Sequence, residues 1–316
     1  MKIVMLEPLG VSSDVLKEAA RPLTDAGHEF VPCTQKLTCN EKKERAKDAD
    51  VFIIANSPLS ADIINAAENL KMISVGFTGV DHVDMAACEA KNVLVCNSQG
   101  YATDSTGELA VGLMLACLRN IVPYSDVVRS GGTLAGYKHN TLRGKTVGIA
   151  GTGAIGLKVA ELCKAFGCRL LGYNRHEKQE AIEMGIEYVD IDQLFQQSDI
   201  VSLHLPFTED TKHIASRARI DSMKPTAFLI NCGRGPLVDS QALADALNDG
   251  RIAGAGIDVF EMEPPIAPDH PLLTAKNTVL TTHVGFYSEE SLEARADIVF
   301  ENVTAWLAGS PVNVKS

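Results

Sequence analysis

Three segments of this sequence place a charged side chain shortly after a short apolar run. Arg234 follows the run 227–231, Glu263 follows 255–259, and His283 follows 278–281. A guanidinium presents a planar fork that binds carboxylates, an imidazole transfers protons near neutral pH, and a carboxylate beside an imidazole orients it and favours its protonated form. In doubly wound sheets ligands bind at the carboxyl ends of the strands, so these residues are candidates for one site.

A glycine-rich turn follows another apolar run, 146–150, and precedes a helical pattern. It reads Gly-x-Gly-x-x-Gly, with Gly151, Gly153 and Gly156 at the fixed positions and Ala154 and Ile155 between the last two. The first glycine permits a tight turn, the second lets backbone approach a pyrophosphate, and the third lets helix pack on strand. Because the free N–H groups of a helix N-terminus attract anions, the segment predicts dinucleotide binding.

The next apolar run, 169–173, ends at Asn174 and Arg175. An acidic residue at this position would hydrogen-bond the ribose 2′-hydroxyl of NAD. Here the neutral Asn174 removes the repulsion toward a 2′-phosphate, and the Arg175 guanidinium supplies a partner for it. We therefore favour NADP(H) over NAD(H), although Asn174 could also bind the ribose of NAD beside a solvated arginine.

The elements that position these residues alternate between short apolar runs and helices along the whole chain of 316 residues, more than one domain usually contains. Such alternation is typical of parallel sheets covered on both faces. We predict an α/β protein with two Rossmann/flavodoxin-like doubly wound parallel-sheet domains and a catalytic cleft between them. The substrate domain comprises residues 1–97 plus 288–316, and the dinucleotide-binding Rossmann domain comprises 98–287. The remaining runs lie at 2–6, 29–33, 51–55, 72–76, 93–97 and 200–204.

Two helices receive separate predictions. The pattern at 107–118 is almost entirely apolar, which indicates a helix buried between domains or at a subunit interface and suggests a homodimer. The last helix is predicted to begin after Ser288 as N-cap and to end before Gly309, and it returns to pack on the first domain.

Composition excludes several classes of function. A formal charge of −11 argues against nucleic acid or an anionic membrane as partner, and no apolar run has the length of a membrane span. The eight cysteines form no CxxC pair, so we expect no metal site and reduced thiols in a cytoplasmic protein. Of the histidines other than His283, His204 is expected to be structural or to lie near the cofactor. The rest are expected to face solvent: His28, His82, His139, His176, His213 and His270.

Together these motifs resemble the D-isomer-specific 2-hydroxyacid dehydrogenases, whose patterns are N-x-x-R-G-x-x-V-D, D-V-F-x-x-E-P and a late T-x-H. The resemblance covers nearly the whole chain and implies hydride transfer between NAD(P)H and a 2-keto acid or D-2-hydroxy acid. It implies that His283 is the acid/base, that Glu263 is its partner, and that Arg234 binds and polarises the substrate. It also implies that the backbone N–H groups of Thr78 and Gly79 bind the carboxylate. The remaining implied cofactor contacts are Thr106, Cys232, Asp258, His283 and Gly285.

The resemblance also narrows the substrate. Family members that act on phosphoglycerate grip its phosphate with arginines after the third strand, whereas segment 55–59 here has none. An unphosphorylated 2-keto acid is therefore predicted. Phe286 and Tyr287 resemble the D-lactate dehydrogenase and C-terminal-binding-protein branches, and they either shape an apolar pocket or pack between domains. A nucleotide-sensing binding protein of the C-terminal-binding-protein type remains the alternative function.

Overall fold

The computed structural model describes residues 1–134, 136–262 and 266–315. The chain divides into two compact units, which we call unit 1 (Met1–Ala102 with Phe286–Ser316) and unit 2 (Thr103–Gly285). These limits differ by a few residues from the domain limits expected at 97 and 287. The reason is that Tyr101 and Phe286 both pack their rings on Phe77 within unit 1, at centroid distances of 6.0 and 5.0 Å.

Unit 1 contains a five-stranded parallel sheet in the order β2-β1-β3-β4-β5. Its strands are β1 (Lys2–Met5), β2 (Glu29–Val31), β3 (Val51–Ile54), β4 (Met72–Val75) and β5 (Leu94–Asn97). Its helices are α1 (Ser13–Asp25), α2 (Cys39–Ala46), α3 (Ala61–Ala66), α4 (Met85–Ala90) and α12 (Glu289–Leu307). The four residues of β3 and the four of β4 are all buried, as expected for parallel strands covered on both faces.

Helix α12 belongs to unit 1 although it is the last element of the chain. Ser288 caps it by accepting a hydrogen bond from the Ser291 N–H, and Gly309 follows its end with a φ of +78°. Both features agree with the sequence-based prediction. The helix packs on α1 and β4, and its Val299 carbonyl accepts a hydrogen bond from Ser74 on β4 at 2.9 Å.

Unit 2 contains a seven-stranded parallel sheet in the order β12-β11-β10-β9-β6-β7-β8. Its strands are β6 (Thr146–Ala150), β7 (Arg169–Tyr173), β8 (Ile186–Tyr188), β9 (Ile200–Leu203), β10 (Phe228–Asn231), β11 (Gly254–Ile257) and β12 (Thr278–Leu280). Its helices are α5 (Thr103–Arg119), α6 (Ile121–Arg129), α7 (Ala154–Ala165), α8 (Gln179–Met184), α9 (Ile191–Gln197), α10 (Arg217–Ser222) and α11 (Ser240–Asn248). Short 3₁₀ turns lie at Gly235–Leu237 and Pro271–Leu273. The predicted class, two doubly wound parallel-sheet α/β units, is confirmed.

The almost wholly apolar helix expected at 107–118 is α5, and it is buried inside unit 2. It packs against α7, β10 and β11, and a side chain at Gly107 would collide with Lys158 of α7. Packing within one chain therefore accounts for its buried residues, and the homodimer stays a prediction. The neighbouring α6 contributes no buried residue, and it exposes Ile121, Val122 and Val128.

The described residues contain no single helix that is both long and apolar enough to cross a membrane. Only the bent pair α5 and α6 meets the length and composition criteria when taken together. The eight cysteines are all free. Across the described ranges, no three His, Cys, Asp or Glu side chains come together as a metal site would require.

Candidate active site

The glycine-rich turn lies between β6 and α7 and requires glycine at two positions. Gly151 has a φ of +102°, and a Cβ there would lie 2.7 Å from the backbone of His204. A Cβ on Gly156 would lie 1.9 Å from the Gly151 carbonyl oxygen, so helix and turn could not pack as closely. Gly153, the N-cap of α7, has no side-chain cap and no atom within 4 Å of an added Cβ. The first turn of α7 therefore presents uncapped N–H groups to open space.

The predicted ribose-binding residues follow β7, the strand beside β6. The Asn174 amide donates to the His176 carbonyl at 2.9 Å, and the exposed Arg175 guanidinium lies 3.2 Å from the Asp210 carboxylate. That exposed pair contributes little to stability, so the Arg175 side chain is able to rearrange.

One contact near this position was not predicted. The Tyr188 hydroxyl, at the end of β8, lies 2.6 Å from the Thr152 hydroxyl and accepts a hydrogen bond from the Lys178 N–H. It ties the glycine-rich turn to the segment after β7. The three-residue strand β8, with Glu187 at its centre, lacks the continuous apolar run by which the other strands were recognised.

Buried polar groups surround the turn on the β9 and β10 side. His204 follows β9, is half-buried, and places its Nε2 atom 2.8 Å from the Ser202 hydroxyl. Burial lowers the pKa of His204 to about 4, so the ring is neutral at pH 7. Burial, and then the charge of Asp258, raises the pKa of Cys232, which excludes a thiolate.

Arg234 lies in the loop after β10, and Asn231 shapes that loop. The Asn231 side chain accepts from the Gly233 N–H and donates to the Arg234 carbonyl, both at 3.0 Å. The half-buried Arg234 guanidinium donates to the Gly233 carbonyl at 2.9 Å. These hydrogen bonds hold the loop in shape, so Arg234 lies at the carboxyl edge of the unit 2 sheet.

His283 follows β12, the edge strand next to β11, and has a φ of +55°. The backbone of Asp258, which follows β11, accepts a hydrogen bond from the His283 N–H at 2.7 Å. The buried Asp258 carboxylate accepts from the N–H groups of Val284 and Gly285, both at 2.9 Å, and from the Thr281 hydroxyl. Asp258, which the resemblance places against the cofactor, thus holds the His283 loop in shape.

Two further predicted cofactor residues meet in unit 2, because the Thr106 hydroxyl donates to the Gly285 carbonyl at 3.1 Å. Glu263, the predicted partner of His283, lies outside the described residues. The expectation that His270 faces solvent is wrong. Its side chain is 11% exposed and its Nε2 atom lies 2.8 Å from the Glu261 carboxylate. No local sequence pattern marks this pair, since eight residues, three of them prolines, separate the two.

In unit 1 the predicted carboxylate-binding residues Thr78 and Gly79 follow β4. The Asn97 amide, at the end of β5, donates to the Thr78 carbonyl at 2.6 Å and fixes this loop. Arg295 on α12 was not predicted as a buried residue. Its guanidinium is buried, donates to the Leu9 carbonyl, and lies 5.8 Å from the ring centroid of Tyr101.

Comparison with known proteins places these observations in a family. Residues 111–285 match the sequence model described as "D-isomer specific 2-hydroxyacid dehydrogenase, NAD binding domain". The chain is 38% identical over 313 residues to the D-3-phosphoglycerate dehydrogenase of Methanocaldococcus jannaschii, covering 98% of this chain and 58% of that protein. It is 36% identical over 305 residues to the glyoxylate reductase of Thermofilum pendens, covering 93% and 88%.

Solved structures agree over the whole length of the chain. An acyclic imino acid reductase in complex with NADPH and D-Arg superposes with a TM-score of 0.89 at 30% identity, and the match covers both chains completely. The apo-structure of D-lactate dehydrogenase from Escherichia coli superposes with a TM-score of 0.84 at 28% identity, again over both complete chains.

Proposed function

Because this chain belongs to the D-isomer-specific 2-hydroxyacid dehydrogenase family, we propose that it reduces a small unphosphorylated 2-keto acid to the D-2-hydroxy acid with NAD(P)H. The observation that carries the proposal is the common edge of the unit 2 sheet. The glycine-rich turn after β6, the Arg234 loop after β10 and the His283 loop after β12 all lie at the carboxyl ends of parallel strands. The similarity to a glyoxylate reductase and a D-lactate dehydrogenase supports the same substrate class.

The catalytic roles follow from the chemistry of each group. His283 delivers a proton to the carbonyl oxygen as negative charge develops there, and it removes that proton in the reverse direction. Glu263 orients the imidazole and stabilises its protonated form. Arg234 binds the carboxylate through its planar fork and polarises the carbonyl. Thr78 and Gly79 bind the carboxylate through their backbone N–H groups.

The residues of unit 2 fit a nicotinamide dinucleotide. Gly153 leaves open the space in front of the first turn of α7, where a side chain would stand and where a pyrophosphate would be held. Ala154 and Ile155 supply backbone N–H groups, while Gly151 and Gly156 allow the close approach of turn and helix. The bound nicotinamide supplies the hydride. We accordingly assign dinucleotide binding to unit 2.

We further propose a preference for NADPH. Asn174 presents no negative charge to a 2′-phosphate. Among the described residues, the exposed Arg175 is held by a single solvent-exposed ion pair. A guanidinium released from Asp210 gains a charge-assisted bond to the phosphate, and NAD offers no equivalent partner. The acyclic imino acid reductase, similar over its whole length, was solved with NADPH.

The assembly we propose is a homodimer that covers α6. This amphipathic helix buries none of its residues within the described chain, and Leu134 and Tyr137 after it are also exposed. Contiguous apolar surface of this kind marks a protein interface. Light scattering should give twice the mass of the 33.9 kDa chain, and Val128→Asp should give the mass of one chain. A wild-type monomer would contradict this assembly.

The test of the activity is oxidation of NADPH or NADH at 340 nm with glyoxylate, hydroxypyruvate, pyruvate or phenylpyruvate. We expect turnover with at least one acid, a product of D configuration by chiral chromatography, and a loss of about 10²–10⁴-fold in kcat for His283→Asn. No turnover with any acid, despite tight dinucleotide binding, would refute the reductase and favour a nucleotide-sensing protein.

The cofactor preference needs a matched pair of variants. Arg175→Ala should raise the KM for NADPH about tenfold and leave the KM for NADH unchanged. Arg169→Ala is the control, because Arg169 lies at the opposite end of β7 and forms a similarly exposed ion pair with Glu187. Equal effects of Arg175→Ala on both cofactors would contradict the assignment.

A further inference from the structure

The Glu261 carboxylate is held on both oxygen atoms. The hydroxyl of Ser240, the first residue of α11, donates to Oε1 at 2.5 Å, and the His270 Nε2 atom lies 2.8 Å from Oε2. The Leu272 N–H donates to the other ring nitrogen of His270 at 3.3 Å. Because Nδ1 accepts that bond, a ring proton on Nε2 donates to Glu261. Side-chain exposure is 11% for His270 and 34% for Glu261.

This cluster lies against the loop that carries Arg234. A Cβ on Gly235 would lie 1.9 Å from the Phe260 carbonyl carbon and 2.3 Å from the Glu261 nitrogen, so the two backbones are in direct contact there. The Phe260 ring meets the His270 ring edge-on at 5.3 Å. A displacement of the Phe260–Glu261 backbone therefore displaces the Arg234 loop as well.

Glu261 also precedes Glu263, the predicted partner of His283, by two residues. Its own carboxylate is unsuited to proton transfer with a substrate, because both oxygens already accept hydrogen bonds within the protein. Its contribution to the reaction has to pass through its neighbours.

We propose that Glu261, held by Ser240 and His270, is a positioning residue that sets the place of the Arg234 loop. This inference rests on the proposed function. It adds a residue that positions a reacting group without contacting the substrate itself. A displacement of a reacting group by about 1 Å can lower a rate by roughly 10²-fold. The cluster therefore affects chemistry and keto-acid binding but leaves dinucleotide binding unchanged, since the glycine-rich turn lies after a different strand.

The test compares Glu261→Gln with Glu187→Gln, a matched control in an exposed ion pair on β8. The Glu261→Gln amide keeps both contacts only if the Ser240 hydroxyl turns to accept, and it loses the charge-assisted hydrogen bonds that the carboxylate accepts. We expect kcat to fall 10- to 100-fold and the affinity of the NADPH complex for oxamate, measured by calorimetry, to fall at least tenfold. The dissociation constant of NADPH should stay within twofold, and Glu187→Gln should match wild type.

Two further variants separate positioning from general stability. His270→Ala should lose activity to the same extent, and His270→Gln, which restores an N–H donor, should recover part of it at an unchanged melting temperature. In the His283→Asn background, Glu261→Gln should cost less than threefold in kcat, because residues that act through one another are not additive.

The outcomes distinguish this inference from the proposed function. Wild-type turnover together with unaltered kcat and oxamate affinity in Glu261→Gln would overturn the positioning role alone. Full additivity with His283→Asn would also overturn it. A wild-type protein that neither reduces 2-keto acids nor binds oxamate would end both proposals together.

Discussion

The pKa of His204 reports on the environment beside the glycine-rich turn. The residue is half-buried after β9, its Nε2 atom meets the Ser202 hydroxyl, and its buried Nδ1 atom finds no hydrogen-bond partner among the described residues. Burial lowers its pKa to about 4, compared with 6.5 for an exposed imidazole. The folded protein therefore holds this histidine neutral at pH values where the unfolded chain protonates it.

The sign of the pH dependence follows from proton linkage. Between pH 6.5 and about pH 4 the unfolded chain binds a proton that the folded protein does not, so the free energy of unfolding decreases as the pH falls. The loss attributable to His204 is roughly 2 kcal/mol between pH 7 and pH 5, and it approaches about 3 kcal/mol at pH 4. Above pH 7 the contribution is constant.

The perturbation is His204→Gln, which keeps a hydrogen-bonding amide near Ser202 and removes the titrating ring. At pH 7 we expect a cost of about 1 kcal/mol for the altered hydrogen bond and packing. At pH 5 the wild type has lost about 2 kcal/mol that the variant retains, so the variant should be the more stable protein by about 1 kcal/mol. The exposed His176 supplies the control, His176→Gln, whose stability should follow that of wild type.

The assay is urea unfolding of the dinucleotide-free protein, followed by far-UV circular dichroism at pH 7, 6 and 5. NMR titration of the imidazole resonances, assigned through His204→Gln, reports the pKa independently. A parallel pH dependence of wild type and His204→Gln, or a His204 resonance that titrates near pH 6.5, would refute the argument that burial keeps this ring neutral.

Two other perturbations follow from packing. Gly153→Ala should weaken NADPH binding at least tenfold, because its methyl group occupies the space assigned to the pyrophosphate. Its melting temperature should not change, since the added methyl group meets no protein atom within 4 Å. Gly156→Ala should weaken binding as well and should also destabilise the fold by roughly 1–3 kcal/mol. Fluorescence titration and thermal unfolding check both, and normal binding by Gly153→Ala would contradict the pyrophosphate assignment. Lys42→Met should cost about 3–5 kcal/mol, since it leaves the buried Glu7 carboxylate, now 3.3 Å from the Lys42 amine, without its ion pair. Urea unfolding measures this cost. Adding Glu7→Gln to Lys42→Met should partly restore the free energy of unfolding. A decrease of less than about 1 kcal/mol in Lys42→Met would show that the ion pair is solvated.

The features that were predictable from sequence are those encoded by neighbouring residues. Parallel strands buried on both faces appear as continuous apolar runs, and the turn after β6 appears as glycines at fixed spacing. The ends of α12 were recognisable because Ser288 and Gly309 act within one turn of the helix. In each case the physical cause lies within a few residues of the pattern.

The features that sequence reasoning missed depend on partners distant in the chain. The buried lysine of α2 is neutralised by Glu7, the buried Arg295 of α12 donates to the Leu9 carbonyl, and His270 is paired with Glu261. A charged residue in a polar stretch is ordinarily solvated, so only the tertiary structure reveals that these three are enclosed. Tyr188 was missed for the same reason, because its hydroxyl contacts Thr152 of the glycine-rich turn, 36 residues earlier in the chain.

A polar side chain at the end of a strand can contact a ligand or hold a loop in shape, and a sequence motif does not distinguish these two roles. The residues at the ends of β10 and β11 illustrate the second role. Asn231 binds the backbone on both sides of its own loop, and the Asp258 carboxylate accepts two N–H groups of the His283 loop. In Asp258→Asn an amide donor would face one of those N–H groups, so the loop would shift even if Asp258 never touched a ligand. Loss of activity in such a variant therefore does not identify a contact with substrate. Non-additivity with His283→Asn would show instead that Asp258 acts through the His283 loop, because it measures whether two residues act through the same geometry.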